Sequence, residues 1–188
     1  MRADPEYIAI EELAVRSATS GDIPLLMEID HGYSTDHVWQ MGYRKGADMA
    51  IDINFREVRL PRPMRVVYPR DPQMLADEWT QRAVILLITL HSEILGYSAV
   101  TFAPVGGASW ITDLVVDIRH RRQGIGSRLL EATIHWTRAQ GLTRIFMEMQ
   151  TKNYPAIKLA QKYGLSFAGY SDAYYVNQDI ALFFVGNC

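Results

Sequence analysis

"ITDLVVDIRHRRQGIGSRLLEATIHW", residues 111–136, holds three local signals in sequence. "ITDLVVDI" is mostly apolar and β-branched, as in a strand covered on both faces. Ile125, Leu129, Ala132 and Trp136 then recur at the spacing of one helix face, and Gly141 can end that helix. Between the two, "RHRRQGIG" sets positive charge and bare glycines where the helix begins. A helix entrance presents unpaired N–H groups and a partial positive charge. Glycines let an anion approach that backbone with no side chain in the way. The stretch therefore predicts a strand, an anion-accepting turn and a helix.

Three versions of such a turn can be tested on the letters. A nucleotide-hydrolysing loop needs a Lys-Ser/Thr pair after its second glycine, but Gly126 is followed by Ser127 and Arg128. A dinucleotide fingerprint needs a third glycine or alanine where Leu129 stands. The pattern Q/R-x-x-G-x-G/A is met by Arg121, Arg122, Gln123, Gly124, Ile125 and Gly126. Alone, that pattern describes a structural turn equally well.

On either side the chain alternates strands and helices. "LAVRSATSGDIPLLMEID" reads as a strand and then a helix capped by Ser20 or Asp22, with Pro24 in its first turn and Leu25, Leu26 and Ile29 as its apolar residues. Residues 31–48 carry no clear period. "IDINFREVRL" alternates as a half-buried strand does, and the proline-rich "PRPMRVVYPRDP" predicts an extended edge or loop. "RAVILLITL" and "ILGYSAVTFAP" predict a hairpin turning near His91–Glu93. "TRIFMEMQ" is a further strand. Asn153 can cap a helix that has Pro155 in its first turn and Gly164 at its close. "SFAGYSDAYYVNQDIALFFV" supplies a last strand pair with "NQD" as its expected turn. The expected fold class is a mixed α/β sheet with a crossover between parallel strands around residues 111–150.

Bulk properties narrow the function. The chain has 188 residues, 48% of them hydrophobic, 21% charged, and a formal net charge of −2. Those values suit one soluble domain and argue against general nucleic-acid affinity, so the basic cluster is local. The single cysteine, Cys188, excludes an internal disulfide. "AVILLITL", residues 83–90, falls far short of the roughly 20 residues of a membrane helix. The acids of the first segment do not suit a signal peptide. The expectation is a cytoplasmic protein with no membrane or nucleic-acid partner. The five histidines form no His-x-x-x-His pair and have no neighbouring cysteine, so no metal is expected.

Residues 111–170, with the glycine turn and an Asn-x-x-Ala-Ile-x-Leu helix at Asn153, Ala156, Ile157 and Leu159, resemble the GCN5-related N-acetyltransferase (GNAT) superfamily. The resemblance extends over about residues 13–185. Within the superfamily it looks nearest to streptothricin acetyltransferases, and ribosomal-protein alanine acetyltransferases share the Glu148 position. It implies a single GNAT domain over 1–188, with an N-terminal extension at 1–12 and an acetyl-CoA-binding core at about 108–170. The central sheet would be largely antiparallel, with one splayed parallel pair and flanking helices. Amides from Arg121 to Gly126, with Ser127 Oγ, would hold the coenzyme's pyrophosphate, with Arg119, Arg121 or Arg122 reaching its phosphates. The backbone of Leu114, Val115 and Val116 and the side chain of Asn153 would lie along the pantetheine arm. The partners implied are acetyl-CoA and an amine acceptor, with a homodimer as an assembly common in the superfamily.

Acetyl transfer to an amine needs a route for the ammonium proton, donors for the developing oxyanion, and protonation of the leaving thiolate. Glu148 sits where alanine acetyltransferases of the superfamily carry their base, and Asp113 is the second carboxylate candidate. The superfamily's strand glutamate is replaced by Thr112, and the tyrosine expected seven residues after Asn153 is Ala160. Tyr163, about 60° further round the helix, is the candidate acid, with Tyr154, Tyr170, Tyr174 and Tyr175 as other phenols. His31 and His37 fall where this fold borders its acceptor pocket. The primary reading is an N-acetyltransferase acting on a small cationic molecule or a protein amine by direct attack in a ternary complex. Thr112 and Ala160 motivate the alternative of a catalytically silent acyl-CoA-binding sensor.

Overall fold

A computed structural model describes residues 12–46, 50–104 and 106–188; most of the expected N-terminal extension lies outside the described residues. In chain order these form β1 (Leu13–Ser17), α1 (Ile23–Glu28), β2 (Tyr33–Lys45), β3 (Ile51–Val66), α2 (Leu75–Glu78), β4 (Val84–Leu90), β5 (Glu93–Phe102), β6 (Ala108–Val116), α3 (Ile125–Ala139), β7 (Arg144–Gln150), α4 (Tyr154–Lys162), β8 (Ser166–Ser171) and β9 (Ala181–Asn187). Seven strands make one sheet in the order β1-β4-β5-β6-β7-β9-β8, while β2 and β3 pair separately. Within the large sheet β6–β7 is the parallel pair, joined through α3, and the other neighbours are antiparallel. The expected mixed α/β architecture is the one observed.

Alternation on the strands feeds two apolar layers. Ile85, Leu87, Tyr97, Ala99 and Val115 pack with Ile23, Leu26 and Ile29 of the α1 segment and Leu75 of α2. Ile111, Ile145, Met147 and Met149 face the other way, with Leu130 of α3 and Ile157 and Ala160 of α4. One irregularity in β6 matters most. Ala99 pairs with Asp113 and Val100 with Ile111, so Thr112 is an extra residue, a β-bulge. The bulge breaks the two-residue alternation. Trp110 and Asp113 consequently reach the same side of the sheet, while Leu114 joins Ile111 on the α4 side.

β5 carries a second bulge at Leu95, where Ile88 pairs with Gly96 and Thr89 with Ile94. Gly96 lies hard against β6: a Cβ there would run into the Val115 carbonyl oxygen and come within 3.0 Å of Val116 Cα. Backbone cannot yield as a side-chain tip can. Gly96→Ala is expected to lower unfolding stability by about 3 kcal/mol through overpacking, read as a shifted urea midpoint. An unmoved midpoint would mean that β5 and β6 are not so closely apposed.

The proline-rich segment takes the extended edge form expected of it as far as Val66, with β3 running for 16 residues through Pro61 and Pro63, and is irregular beyond that. Pairing jumps from His37–Arg59 to Thr35–Met64, so both prolines fall in a stretch that the ladder skips and their missing N–H groups are not needed. Residues 31–48, without period in the sequence, supply β2. The hairpin is seated on the main body by Trp39, whose ring packs near Phe55, Phe167 and Phe184 and whose backbone N–H donates to Thr151 O at 2.9 Å. One sequence expectation is corrected: "NQD" is not a tight turn between β8 and β9, because the connection occupies residues 172–180, burying Tyr175 against Arg70 and bringing the half-exposed Tyr174 to Glu148. Asp179 anchors it, accepting from Gln150 Nε2 at 2.6 Å and Lys152 Nζ at 2.5 Å.

Candidate active site

The glycine turn is built from the end of β6. Asp117 caps the short turn at Ile118–His120, accepting from Arg119 N at 2.9 Å and Arg119 Nε at 3.0 Å. Arg119 also lies 3.2 Å from Glu93, so its charge is already balanced on the surface. Arg121 folds back as a brace, donating from Nε to Val116 O at 2.8 Å and from Nη2 to Asp30 O at 3.1 Å. Arg122 points outward from a left-handed backbone, φ 65°, and Gly124 repeats that conformation at φ 85° as the helix cap. Among the described residues, no acceptor takes a backbone N–H from Arg121 through Ser127; the first amide of α3 to find one is Arg128, on Gly124 O at 3.0 Å. Ile125 contributes backbone alone, its side chain being buried with Leu95 and Leu129.

β6 and β7 stay paired from Ala108–Arg144 to Ile111–Met147 and then part. The wedge beyond is a slot lined by Thr112, Leu114, Glu148, Asn153, Ala156 and Tyr175, among others. Leu114 is half-buried at its wall, whereas the Val115 side chain points into the opposite layer. Asn153 Oδ1 caps α4, accepting from Ala156 N at 3.2 Å, which leaves its amide nitrogen for the slot.

Beside the wedge two buried carboxylates share one guanidinium. Arg70 Nη2 ion-pairs with Glu148, Nη1 donates to Thr112 O at 2.9 Å, and Nη1 lies 3.6 Å from Asp113. Glu148 Oε2 also accepts from Trp110 Nε1 at 2.6 Å and from the Tyr174 hydroxyl at 3.1 Å. Asp113 accepts from the Tyr68 hydroxyl at 2.6 Å and Thr112 Oγ1 at 2.8 Å. Burial opposes the Arg70 charge, but Asp113 and Glu148 outweigh it and push its pKa up. The bulge at Thr112 is what lets Trp110 and Asp113 serve the same cluster.

This cluster forms the floor of a cleft of about 1270 Å³ between α1, α2 and the loops holding Arg70 and Tyr174. Asp30, Asp71, Glu78 and Asp113 line it with Arg65, Arg70 and Arg82, and with Glu148 beside them carboxylates outnumber guanidiniums. His31 lines it as well. Its Nδ1–H must donate to Ile29 O at 2.6 Å, so Nε2 accepts from the Tyr97 hydroxyl at 2.9 Å, and burial draws its pKa down. His37 lies apart, stacked on Tyr154 with ring centroids 4.8 Å apart.

The structure thus brings Glu148 and Asp113 together and sets them beside Leu114 and Asn153. It keeps Tyr163 away from them: that hydroxyl donates to Glu131 of α3 at 2.6 Å. Ala160 is fully buried in the core. The sequence reading missed Arg70, Tyr68 and Trp110. One signal for Arg70 was available, since two acids on interior strands demand a cation, but several arginines could have met it. Among the described residues no three His, Cys, Asp or Glu side chains are grouped to hold a metal ion, and no helix is long and apolar enough to cross a membrane.

The chain and its fold are similar to those of known proteins. Over 165 residues the chain is 25% identical to a streptothricin acetyltransferase of Streptomyces lavendulae, covering 85% of each. Its fold matches the crystal structure of nourseothricin acetyltransferase with a TM-score of 0.78 at 21% identity, over 94% of this chain and 99% of that one. A Bacillus anthracis protein of streptothricin-acetyltransferase type, in complex with acetyl coenzyme A, matches with a TM-score of 0.70 at 20% identity, over 94% and 99%. The ribosomal-protein-S18-alanine N-acetyltransferase of Escherichia coli follows with 0.66 at 16%, over 93% of each chain. The model of the acetyltransferase (GNAT) family spans residues 53–165. The wedge between β6 and β7, the unpaired amides at the entrance of α3 and this match together make the chain a member of the GNAT acetyltransferase family.

Proposed function

We propose that the protein transfers an acetyl group from acetyl-CoA to the primary amine of a small cationic molecule, by direct attack within a ternary complex. The observation that carries this reading is the run of backbone N–H groups from Arg121 to Ser127 that no protein acceptor uses. Amides left bare at a helix entrance suit a diphosphate. Those amides and Ser127 Oγ would bind the pyrophosphate, and Arg121 would act by bracing the turn. The open edge of β6 at Leu114–Val116 and the Asn153 amide would align the pantetheine arm, with strand N–H groups facing the developing oxyanion.

The acceptor would enter from the cleft, whose excess of carboxylates favours a cation. Glu148 is assigned as base through Tyr174. The half-exposed phenol passes its proton to Glu148 as it takes one from the incoming ammonium. Asp113 fixes Tyr68 and balances Arg70. Titration with acetyl-CoA, followed by thiol release with a panel of amines led by a streptothricin-like one, tests the reading. Saturable binding and acceptor-dependent thiol release are expected. Binding without release from any amine would leave the silent sensor; no binding would remove both.

A further inference from the structure

Tyr175 is buried, with 5% of its surface exposed, and among the described residues its hydroxyl has no hydrogen-bond partner. Its neighbours differ. Tyr33 donates to Gln150 at 2.7 Å, Tyr68 to Asp113, Tyr97 to His31 and Tyr174 to Glu148. A buried phenol without a partner is uncommon and costs free energy unless something else supplies the bond. Nor is this hydroxyl sealed in, because it is absent from the fully enclosed polar atoms that lack partners, and Tyr175 lines both the acceptor cleft and the slot between β6 and β7. In the slot it shares the walls with Leu114, Asn153 and Ala156.

The residue is anchored by its backbone, whose N–H donates to Asp179 O at 3.3 Å and whose carbonyl accepts from Gln178 N at 2.8 Å, and the Arg70 guanidinium lies 5.3 Å from the ring centroid. Position 160, where the family resemblance places a phenol, is alanine and faces the core.

We propose that Tyr175 is the general acid that protonates the departing thiolate of coenzyme A, a residue from the β8–β9 connection doing what position 160 cannot. The proposal rests on the acetyl-transfer reading above. The amine nitrogen bonds the acetyl carbon and the C–S bond breaks. The sulfur takes the Tyr175 hydroxyl proton, and the nitrogen, cationic after attack, returns its surplus proton to the Tyr175 oxygen. Net, one proton moves from nitrogen to sulfur and Tyr175 is regenerated. Burial, with Glu148 adding to it and Arg70 opposing, raises the hydroxyl's pKa and keeps it protonated between turnovers.

The test is Tyr175→Phe, which keeps the ring and its packing. Its kcat is expected to fall about a hundredfold, the usual worth of a general acid, with KM for acetyl-CoA unchanged. A second readout needs no turnover. Wild-type protein should bind CoA about tenfold more tightly than desulfo-CoA, the equivalent of one hydrogen bond, and Tyr175→Phe should erase that preference. Retention of both kcat and the preference in Tyr175→Phe overturns the proposal. So does their loss in Tyr163→Phe instead, which would return the role to α4. Wild-type protein that binds neither CoA nor acetyl-CoA refutes the underlying acetyl-transfer reading, a separate result.

Discussion

Glu148→Gln is expected to lower kcat by about a hundredfold to a thousandfold, the range of a lost general base, while leaving KM for acetyl-CoA near its wild-type value. An amide can keep the bond from Arg70 through its oxygen, but its NH₂ then faces Trp110 Nε1, which can only donate. The Tyr174 hydroxyl can turn, yet it loses the anion that would receive its proton. The same change leaves Arg70 with Asp113 alone, 3.6 Å away. Stability should therefore fall too, by about 3 kcal/mol, as when one partner of a buried pair is removed. Steady-state kinetics on folded protein separates the two effects, and Tyr174→Phe provides a second check: it spares the ion pair but should reproduce most of the kinetic loss. If Glu148→Gln keeps full activity across the neutral range, Glu148 is a brace for Arg70 and the ammonium loses its proton elsewhere.

The contrast between the two halves of the site shows what local sequence can carry. The turn between β6 and α3 was legible because its determinants are consecutive: an apolar strand, left-handed glycine geometry and a helical stripe follow one another within residues 111–136. The crossover followed from the same run, since a strand passing through a helix to a parallel neighbour at Arg144 leaves few topologies, whereas the splay that opens the slot was implied only by the family resemblance. Of the buried polar cluster only the carboxylates Glu148 and Asp113 were legible, and not their partners. Trp110 and Asp113 are three residues apart, a spacing that regular alternation assigns to opposite faces, and a single bulge at Thr112 reverses it. Arg70 arrives after a long strand whose prolines left an extended edge and a loop both open, and the register jump in β2–β3 is what lets the strand carry them. The β8–β9 connection was read as a tight turn from "NQD", although its course depends on Lys152 and Gln150 holding Asp179. Each missed feature depends on groups distant in the chain meeting across the fold.

Gly126→Val separates the coenzyme site from the rest of the fold more cleanly. A Cβ at Gly126 would stand 3.6 Å from Leu159 Cδ2, 3.7 Å from Val116 Cγ2 and 3.8 Å from Leu114 Cδ2, ordinary contact distances that no backbone atom tightens. It lies in the first turn of α3 with no left-handed φ to defend, and valine is no worse a helix former than glycine. The folded protein should accept the change, with unfolding stability altered by less than about 1 kcal/mol. The added methyls would stand beside Leu114 at the wall of the slot, where the proposed coenzyme site would take the diphosphate and pantetheine arm. Acetyl-CoA affinity is expected to drop by a hundredfold or more, roughly the loss of two charge-assisted hydrogen bonds, measured by calorimetric titration. Gly124→Ala makes the complementary case: nothing lies within 4 Å of its Cβ, but its φ of 85° penalises any L side chain, so it should lose about 1–2 kcal/mol of stability and less affinity. Affinity in Gly126→Val equal to wild type would mean that the amides from Arg121 to Ser127 do not hold the coenzyme, and the acetyl-transfer reading would lose the observation on which it stands.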